Sequence, residues 1–392
     1  MKISTIIVGG LGALTIFECT YAYPGMGATV RKVEKRVEGR QQRPGFRRLP
    51  SQIRRQTAEV EDPETPEDPN EVEDPADVPV LIGDIKNGGT TPVGKAIANI
   101  LLETESGQSN VGGYQIPGQL GTPKCKADTC CVWAHISLQL TNLFRGQSGR
   151  CNRYARAAVR LGFHDAGTWK EGLDFGGADG SIILAKEEIS RPDNKGLQDI
   201  VRVLGDMQRQ SFKQYGVGMA DLIPFAAKHA VVTCLLGPRI RTFCERSADQ
   251  LISLFSTKTI SPHKLVALLG AHTTSQQFFV DLKRAAAPQD GTPGVWDTLF
   301  YNQTLGLGPL PKAVMRFPSD EVLAQDPRTK VEWEKLSRGT KGQDHWNEDY
   351  SYSYIRLSLL GVNNINSLTE CTKVLPMPNK SFRGAGDLLI AD

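Results

Sequence analysis

The sequence lacks the features that mark a membrane protein, a zinc-binding protein or a repeat protein. Beyond an apolar run at residues 3–17, it has no stretch of about eighteen apolar residues, so no membrane span is expected in the mature chain. Neither a C-x-x-C pair nor a paired-histidine spacing occurs, which argues against a zinc site. Strand-like alternation is scarce and no internal repeat is visible. The chain is therefore predicted to be all-α.

The N-terminal region has the pattern of a secretory signal. Met1 and Lys2 precede the apolar run, and Thr20, Tyr21 and Ala22 follow it. This order predicts a signal peptide over residues 1–22 that is cleaved after Ala22. We therefore expect a secreted, extracellular protein.

Residues 23–80 are strongly charged in two blocks of opposite sign. Residues 31–55 hold ten Lys or Arg and two Glu, including four dibasic pairs, whereas residues 59–77 hold ten acidic residues and four prolines. Neither block has enough apolar residues for a core, so both are predicted to be disordered. The basic block fits a nucleic-acid-binding arm or a propeptide trimmed at dibasic sites, and secretion favours the propeptide. The acidic block is predicted to be an extended spacer.

The remaining residues, 81–392, carry a formal charge of +5, which gives no reason to expect nucleic acid as a partner. Composition and apolar spacing predict several helices in this part of the chain. The helix candidates are residues 90–102, 137–144, 197–215, 220–232 and 247–255, and residues 107–123 are expected to form a loop.

Two further segments combine helical patterning with chemically active side chains. In the first, residues 152–165, Arg160, Phe163 and His164 share one helix face, whereas Asp165 points about 100° away. A fixed cation beside an imidazole suits acid–base chemistry at an oxygen atom. A turn rich in oxygen donors follows at residues 177–181 (GADGS), within reach of Asp165.

The second segment, residues 261–277, reads SPHKLVALLGAHTTSQQ. Ser261 is a good N-cap and Pro262 suits the first helical position. Leu265, Leu268, Leu269 and His272 recur at helical spacing, which puts His272 on an apolar stripe. On its own such a histidine is usually a buried side chain bonded to a carbonyl.

The strings RLGFHD, GADGS and LLGAHT together resemble the distal and proximal sides of plant-type haem peroxidases. Within that superfamily the chain is most similar to the secreted fungal (class II) group and its ascomycete branch, from about Cys125 to Pro376. The resemblance implies an all-α, two-lobed fold with haem b between the lobes. Residues 81–255 would form an N-terminal extension and the distal lobe, and residues 256–392 the proximal lobe.

The resemblance also implies a role for individual side chains. On the distal side, His164 would be the acid–base catalyst, Arg160 the positive charge that stabilises the transition state, and Phe163 a cover for the haem edge. Asn194 would accept a hydrogen bond from His164, and Glu188 would anchor the Asn194 loop.

On the proximal side, His272 would ligate the iron and Asp320 would accept its other ring proton. An anionic partner increases the basicity of a ligating imidazole and supports high oxidation states of the iron.

Two calcium sites follow from the same resemblance, because oxygen donors with several carboxylates suit a hard cation. The distal donors would be Asp165, Gly177, Asp179 and Ser181. The proximal donors would be Thr273, Asp290, Thr292, Val295 and Asp297.

Seven of the eight cysteines lie beyond the signal, and in a secreted chain they indicate disulfides. The resemblance implies three pairs: Cys125–Cys131, Cys130–Cys371 and Cys151–Cys234. Cys244 is then left over, either free or competing for Cys234. Asn302 (NQT) and Asn379 (NKS) fit the glycosylation acceptor pattern.

Some positions depart from specialised relatives. Manganese-oxidising relatives carry three acidic residues where this chain has Arg153, Ala157 and Phe278, and lignin-oxidising relatives expose a tryptophan where it has Ala267. The remaining histidines show no ligand spacing and are expected to be structural or on the surface; they are His135, His229, His263 and His345.

We therefore predict a secreted, monomeric haem peroxidase that uses hydrogen peroxide to oxidise small phenolic donors. One alternative is a secreted binding protein that keeps the scaffold without turnover. A second is an intracellular peroxidase of the ascorbate or cytochrome c type, which the signal and the cysteines disfavour. A third is a metal-dependent hydrolase that uses the Asp-rich turns.

Overall fold

The computed structural model of the chain describes residues 78–146, 149–169, 171–172, 176–241 and 258–379. Several expectations lie outside these residues. They are the signal peptide at 1–22, the charged blocks at 31–55 and 59–77, the helix candidate at 247–255, and Cys244.

Regular structure in the described residues is almost entirely helical, which confirms the predicted fold class. The α-helices are α1 (Pro92–Leu101), α2 (Pro123–Lys126), α3 (Thr129–Phe144), α4 (Arg153–Ala166), α5 (Ser181–Leu184), α6 (Lys186–Ser190), α7 (Gln198–Met207), α8 (Met219–Thr233), α9 (Pro262–Leu269), α10 (Leu299–Leu305), α11 (Pro318–Gln325), α12 (Lys330–Leu336) and α13 (Gly339–Leu357).

Shorter elements join these helices. The 3-10 turns are Gly83–Ile85, Pro192–Asn194, Lys213–Tyr215, Gly270–Thr274, Leu282–Arg284, Ile365–Ser367 and Thr372–Val374, and a π turn spans Gln208–Phe212. Strands β1 (Gln276–Gln277) and β2 (Ala287–Pro288) form an antiparallel pair in which Gln276 faces Pro288. No helix in the described part of the chain is both long and apolar enough to span a bilayer.

The predicted helix starts are confirmed by their caps. The Asn152 side chain accepts the N–H groups of Tyr154 and Ala155 at the start of α4. Ser261 accepts the N–H of Lys264 and precedes a proline at the start of α9.

The bounds of two other helix candidates differ from the prediction. Helix α3 starts eight residues before the predicted residue 137, because Asp128 caps it at Thr129. The candidate at 197–215 is α-helical only to Met207.

On the distal side, α4 packs along α8, and Gly162 makes the close approach possible. A Cβ atom on Gly162 would lie 2.1 Å from the Tyr354 hydroxyl oxygen and 2.7 Å from the Ala227 Cβ, so a larger residue would force α4 away. Since His164 is two residues further on, this contact fixes the position of the catalytic candidate.

On the proximal side, α9 packs against α13, and Gly270 plays the corresponding part. A Cβ on Gly270 would lie 2.3 Å from both the Trp346 Nε1 and the Tyr301 hydroxyl oxygen. The α-helix ends at Leu269, and His272 lies on the 3-10 turn Gly270–Thr274 rather than on the α-helical stripe that the leucine spacing indicated. The tighter winding changes the direction in which His272 leaves the helix axis.

Three disulfides join cysteines in the described part of the chain, and they are the three pairs that the resemblance implied. They join Cys125 to Cys131, Cys130 to Cys371 and Cys151 to Cys234. The third links the residue before the α4 cap to the residue after α8. One continuous apolar core includes residues of both sides. Leu161 belongs to it on the distal side, and Leu265 and Trp296 on the proximal side.

Candidate functional site

Helix α4 brings Arg160 and His164 together one turn apart. The Nδ1 of His164 lies 2.9 Å from the side-chain oxygen of Asn194, to which it donates its proton. That hydrogen bond fixes the tautomer and leaves Nε2 as the basic nitrogen. The Nε of Arg160 donates to this Nε2 across 3.2 Å. The three side chains form a connected polar chain.

Hydrogen bonds hold the loop around Asn194, residues 188–195, on both sides of Asn194. The Asn194 amide donates to the backbone carbonyl of Glu188 across 2.8 Å, so Glu188 contacts Asn194 through its main chain. Its carboxylate pairs with Arg191 at 2.7 Å. The Arg160 guanidinium donates to the carbonyls of Lys195 and Asp193, each at 2.9 Å.

Burial, and then the neighbouring charge of Arg160, lower the pKa of His164 to about 3, although the hydrogen bond to Asn194 acts in the opposite direction. The imidazole is therefore neutral near pH 7 and able to accept a proton. The Phe163 ring stands edge-on to His164, with centroids 5.6 Å apart, and is partly buried.

The proximal side pairs His272 with a carboxylate. Oδ2 of Asp320 lies 3.0 Å from Nδ1 of His272, and Asp320 is 1% exposed. Phe300 and Phe317 flank the imidazole edge-on, with ring centroids 5.6 and 5.7 Å away. Burial lowers the pKa of His272, but the charge and hydrogen bond of Asp320 outweigh it, and the pKa is raised overall. The remaining ring nitrogen, Nε2, is the one available to a ligand.

The two sides are electrostatically linked. The charge of Arg160 contributes to the pKa of His272, which places the distal guanidinium within electrostatic range of the proximal ring. The His272 side chain keeps 32% of its surface exposed despite the packing around it. An imidazole oriented by a buried carboxylate, with its second nitrogen open, suits a haem-iron ligand. The residues present therefore fit haem.

The residues predicted as distal calcium donors also come together. Asp165 is 1% exposed and accepts the N–H groups of Gly180 and Ile182 at 3.1 and 3.3 Å. Burial, and then the nearby Asp179, raise the pKa of the Asp165 carboxyl. The Gly177 carbonyl and Ser181 lie in the same turn, which Asp179 closes by accepting the Ser181 N–H at 2.8 Å. Two carboxylates held together in a buried turn suit a divalent cation.

The proximal donors form a second such cluster, which the structure draws from two segments. The Thr273 hydroxyl donates to Asp290 and lies 3.3 Å from the Val295 carbonyl. The Thr292 hydroxyl donates to Asp297 at 3.0 Å. Asp290 is fully buried, and burial followed by the charge of Asp297 raises its pKa. All five proximal donors are thus neighbours, and they too fit calcium.

Sequence reasoning missed two parts of the site. The main-chain carbonyls of Asp193 and Lys195 that hold Arg160 have no side-chain signal. Phe300 and Phe317 were also missed, although Phe317 lies only three residues before Asp320.

The peroxidase family model matches residues 139–244 and 242–339, together just over half of the 392 residues. A peroxidase of Arthromyces ramosus is 30% identical over 305 residues, which cover 68% of this chain and 80% of that protein. A peroxidase of Coprinopsis cinerea is 29% identical over 315 residues, covering 70% and 83%. Ligninase LG5 of Phanerodontia chrysosporium is 30% identical over 291 residues, covering 64% and 76%. The chain therefore belongs to the peroxidase family and is a haem peroxidase.

Proposed function

We propose that His164 is the base and acid of this peroxidase, with Asn194 as its positioning residue. Asn194 holds the proton of His164 on Nδ1, so Nε2 is the atom that can take a proton from one peroxide oxygen and return it to the other. A pKa lowered to about 3 keeps Nε2 free of protons at neutral pH. The hydrogen-bonded chain from Arg160 through His164 to Asn194 is the observation that carries the proposal.

Arg160 supplies positive charge where negative charge develops on the leaving oxygen, and its guanidinium stays charged at any relevant pH. Its Nε donates to the same Nε2 that has to accept the substrate proton. That hydrogen bond has to break before Nε2 can accept the substrate proton, while the carbonyls of Lys195 and Asp193 hold the other two guanidinium nitrogens.

His272 is the residue that would bind the haem iron through Nε2, with Asp320 as the acceptor of its Nδ1 proton. Haem b, when bound, supplies the iron that takes oxidising equivalents from peroxide and passes them to electron donors. Phe163 would cover the haem edge on the distal side. Two calcium ions, one in each donor cluster, would fix the positions of Asp165, the neighbour of His164, and Thr273, the neighbour of His272.

Small phenolic and aromatic molecules are the proposed donors. The positions of a manganese site carry Arg153, Ala157 and Phe278, so they offer no carboxylate to a metal ion. Ala267, where lignin-oxidising relatives expose a tryptophan, is fully buried and has no redox-active side chain.

The protein is proposed to act outside the cell as a monomer, with residues 81–255 and 256–392 as its distal and proximal lobes. Its three disulfides suit an oxidising compartment. Asn302 and Asn379 remain candidate glycosylation sites, although their amides donate to the carbonyls of Ser337 and Gly149.

The test is a comparison of wild type with His164→Ala in stopped-flow reaction with hydrogen peroxide. We expect the variant to keep its haem absorption band and to react about 10²- to 10⁴-fold more slowly, because general acid–base catalysis contributes that much. His135→Ala is the matched control, since His135 bonds to the Gly118 carbonyl away from the site. A variant that reacts at the wild-type rate would refute the role of His164.

Donor choice is tested by steady-state assays against a phenol, manganese(II) and a bulky non-phenolic aromatic. We expect turnover with the phenol and no saturable turnover with manganese. Haem binding without turnover of any donor would instead indicate a scaffold protein that has lost activity.

A further inference from the structure

Two histidines that had no ligand spacing in the sequence meet two carboxylates in the fold. His263 is the second residue of α9, Glu332 lies in α12, and His345 and Asp349 lie one turn apart on α13. These four residues form the three-helix cluster. With one ligand atom taken from each, all four atoms lie within 4.8 Å of one another.

The separations between nitrogen and oxygen approach those of a metal's coordination shell. Nδ1 of His263 lies 3.2 Å from Glu332, and its Nε2 lies 3.5 Å from Asp349. Nε2 of His345 lies 3.7 Å from Glu332 and 2.9 Å from Asp349. Ligands about 2.0–2.1 Å from a tetrahedral ion are about 3.3–3.4 Å apart. The two distances from His263 belong to different ring nitrogens, and only one of these can bind an ion, so the His263 ring has to turn before the four side chains can enclose one.

The carboxylates are the fixed part of the cluster and the imidazoles the adjustable part. Glu332 and Asp349 are 5% and 9% exposed, whereas the side chains of His263 and His345 are 30% and 40% exposed. Oε1 of Glu332 and Oδ2 of Asp349 are buried, and the groups that pair with them are the imidazoles of the cluster itself: Nε2 of His345 lies 3.7 Å from the first oxygen and 2.9 Å from the second. Two buried oxygens that point into a group of imidazoles offer lone pairs to a cation, and the half-exposed rings give it a path from solvent.

One further charged group faces the cluster: the Lys335 ammonium, 4.0 Å from Glu332 and partly exposed. Burial lowers the pKa of His263, but Asp349 and Glu332 raise it to about 10, and they raise the pKa of His345 as well, so a metal ion has to displace protons from the rings. With both imidazoles then neutral, the two carboxylates carry a charge of −2, which a divalent ion neutralises. Mixed nitrogen and oxygen ligands suit a borderline ion such as zinc better than calcium, which prefers oxygen alone.

We propose that His263, Glu332, His345 and Asp349 form a binding site for a divalent first-row transition-metal ion of the zinc type. The site shares no residue with the haem ligand or with either calcium cluster. It joins α9, which leads into the turn carrying His272, to α12 and α13. An ion there would clamp the proximal helix to its two neighbours.

The first experiment is calorimetric titration of the holoenzyme with zinc chloride, in buffer that contains calcium so that the oxygen-rich sites are filled. We expect one zinc ion per chain above background. A crystal soaked in the same zinc salt, measured at the zinc absorption edge, is expected to give an anomalous peak among the four side chains. Because both measurements use the wild-type protein, neither depends on whether a variant folds.

Two variants then assign the ligands. His345→Gln removes a half-exposed ring with little disturbance of the core, and Asp349→Asn keeps the shape of the side chain but replaces its carboxylate with an uncharged amide. Each is expected to weaken zinc binding at least 10-fold and to abolish the rise in unfolding temperature that zinc produces. His135→Ala, a histidine outside the cluster, is the control and is expected to bind zinc as wild type does.

Three results would overturn the proposal. They are the absence of stoichiometric binding below millimolar zinc, an anomalous peak only at other residues, and unchanged affinity in both variants. The cluster would then be a network of ion pairs between histidines and carboxylates.

Discussion

Oδ2 of Asp320 lies 3.0 Å from Nδ1 of His272, and the other oxygen of this carboxylate is buried without a hydrogen bond from the described residues. The carboxylate therefore directs its charge at a single imidazole. It also fixes which ring nitrogen of His272 is left for a ligand. The two residues belong to α11 and to the turn after α9, so the pair ties these segments together.

Asp320→Asn tests what that carboxylate does. We expect haem to be retained, the reduction potential of its iron to rise, and the reaction with peroxide to slow about 10- to 100-fold, as is typical for the loss of a partner to a metal ligand. Spectroelectrochemistry and stopped-flow absorbance measure the two quantities.

Glu321→Gln is the matched control, because Glu321 is the next residue of α11 and pairs with Arg316 on the surface. An Asp320→Asn protein with the wild-type potential and rate would show that the carboxylate only fills space.

Gly270→Ala tests the packing that places His272. Alanine is favoured over glycine in a helix by about 1 kcal/mol, but here its Cβ would lie 2.3 Å from Trp346 and Tyr301, and overpacking costs about 1–3 kcal/mol. We expect the clash to win, so that the unfolding temperature falls and haem is held more weakly.

Gly308→Ala provides the comparison, because the nearest atom to its added Cβ is an ordinary 3.5 Å away. Circular dichroism and haem absorbance during heating follow the two effects. Equal unfolding temperatures for wild type and Gly270→Ala would mean that α9 can shift without cost.

Much of this arrangement could be predicted from the sequence, because its signals are local. Caps such as Asn152 and Ser261 mark where α4 and α9 start, and the spacing of Arg160 and His164 sets their common face. The roles of Asn194 and Asp320 came only from the resemblance to a family, since each is far along the chain from its histidine.

Other parts could not be predicted because they depend on tertiary contacts. The 3-10 winding at His272 follows from how Gly270 meets Trp346 and Tyr301, which no local pattern encodes. His263 and Glu332 are 69 residues apart, so their spacing resembles no metal motif. The spacing of His345 and Asp349, one helical turn, was the only local sign of that cluster.

Removal of calcium is expected to inactivate the enzyme slowly. Asp165 adjoins His164 and Thr273 adjoins His272, so loss of either ion displaces a histidine of the site. Prolonged incubation with a chelator should abolish activity and change the haem absorption band, and added calcium should restore both. Activity and absorption that are unchanged after prolonged chelation would contradict the two calcium sites.

Asp297→Asn is expected to speed this inactivation, because it removes one of the two carboxylates of the proximal cluster. Asp281→Asn is the control, since Asp281 caps the turn Leu282–Arg284 and belongs to neither cluster. The rate of activity loss at fixed chelator concentration is the measurement. Equal rates in wild type and Asp297→Asn would place the ion elsewhere.

His229 makes stability fall in acid. It is fully buried, its Nε2 lies 3.0 Å from the Ser137 carbonyl, and burial lowers its pKa from 6.5 to about 3 against the opposing effect of that hydrogen bond. Between these values the unfolded chain binds a proton that the folded chain does not. Stability is therefore lost as pH falls from about 6.5 towards 3, by up to about 1.4 kcal/mol per pH unit for this one group.

His229→Gln and His229→Phe test this, because both remove the titratable imidazole and each changes the packing in a different way. Both variants are expected to be less stable than wild type near neutral pH, by unequal amounts, because each disturbs a buried hydrogen bond or the core around it. Their free energies of unfolding should nevertheless fall less steeply than that of wild type between about pH 6 and 4, and by the same difference in slope, because one titrating group is gone in each. Denaturant titration at several pH values gives the slopes. If both variants keep the wild-type slope, another buried group causes the loss of stability in acid.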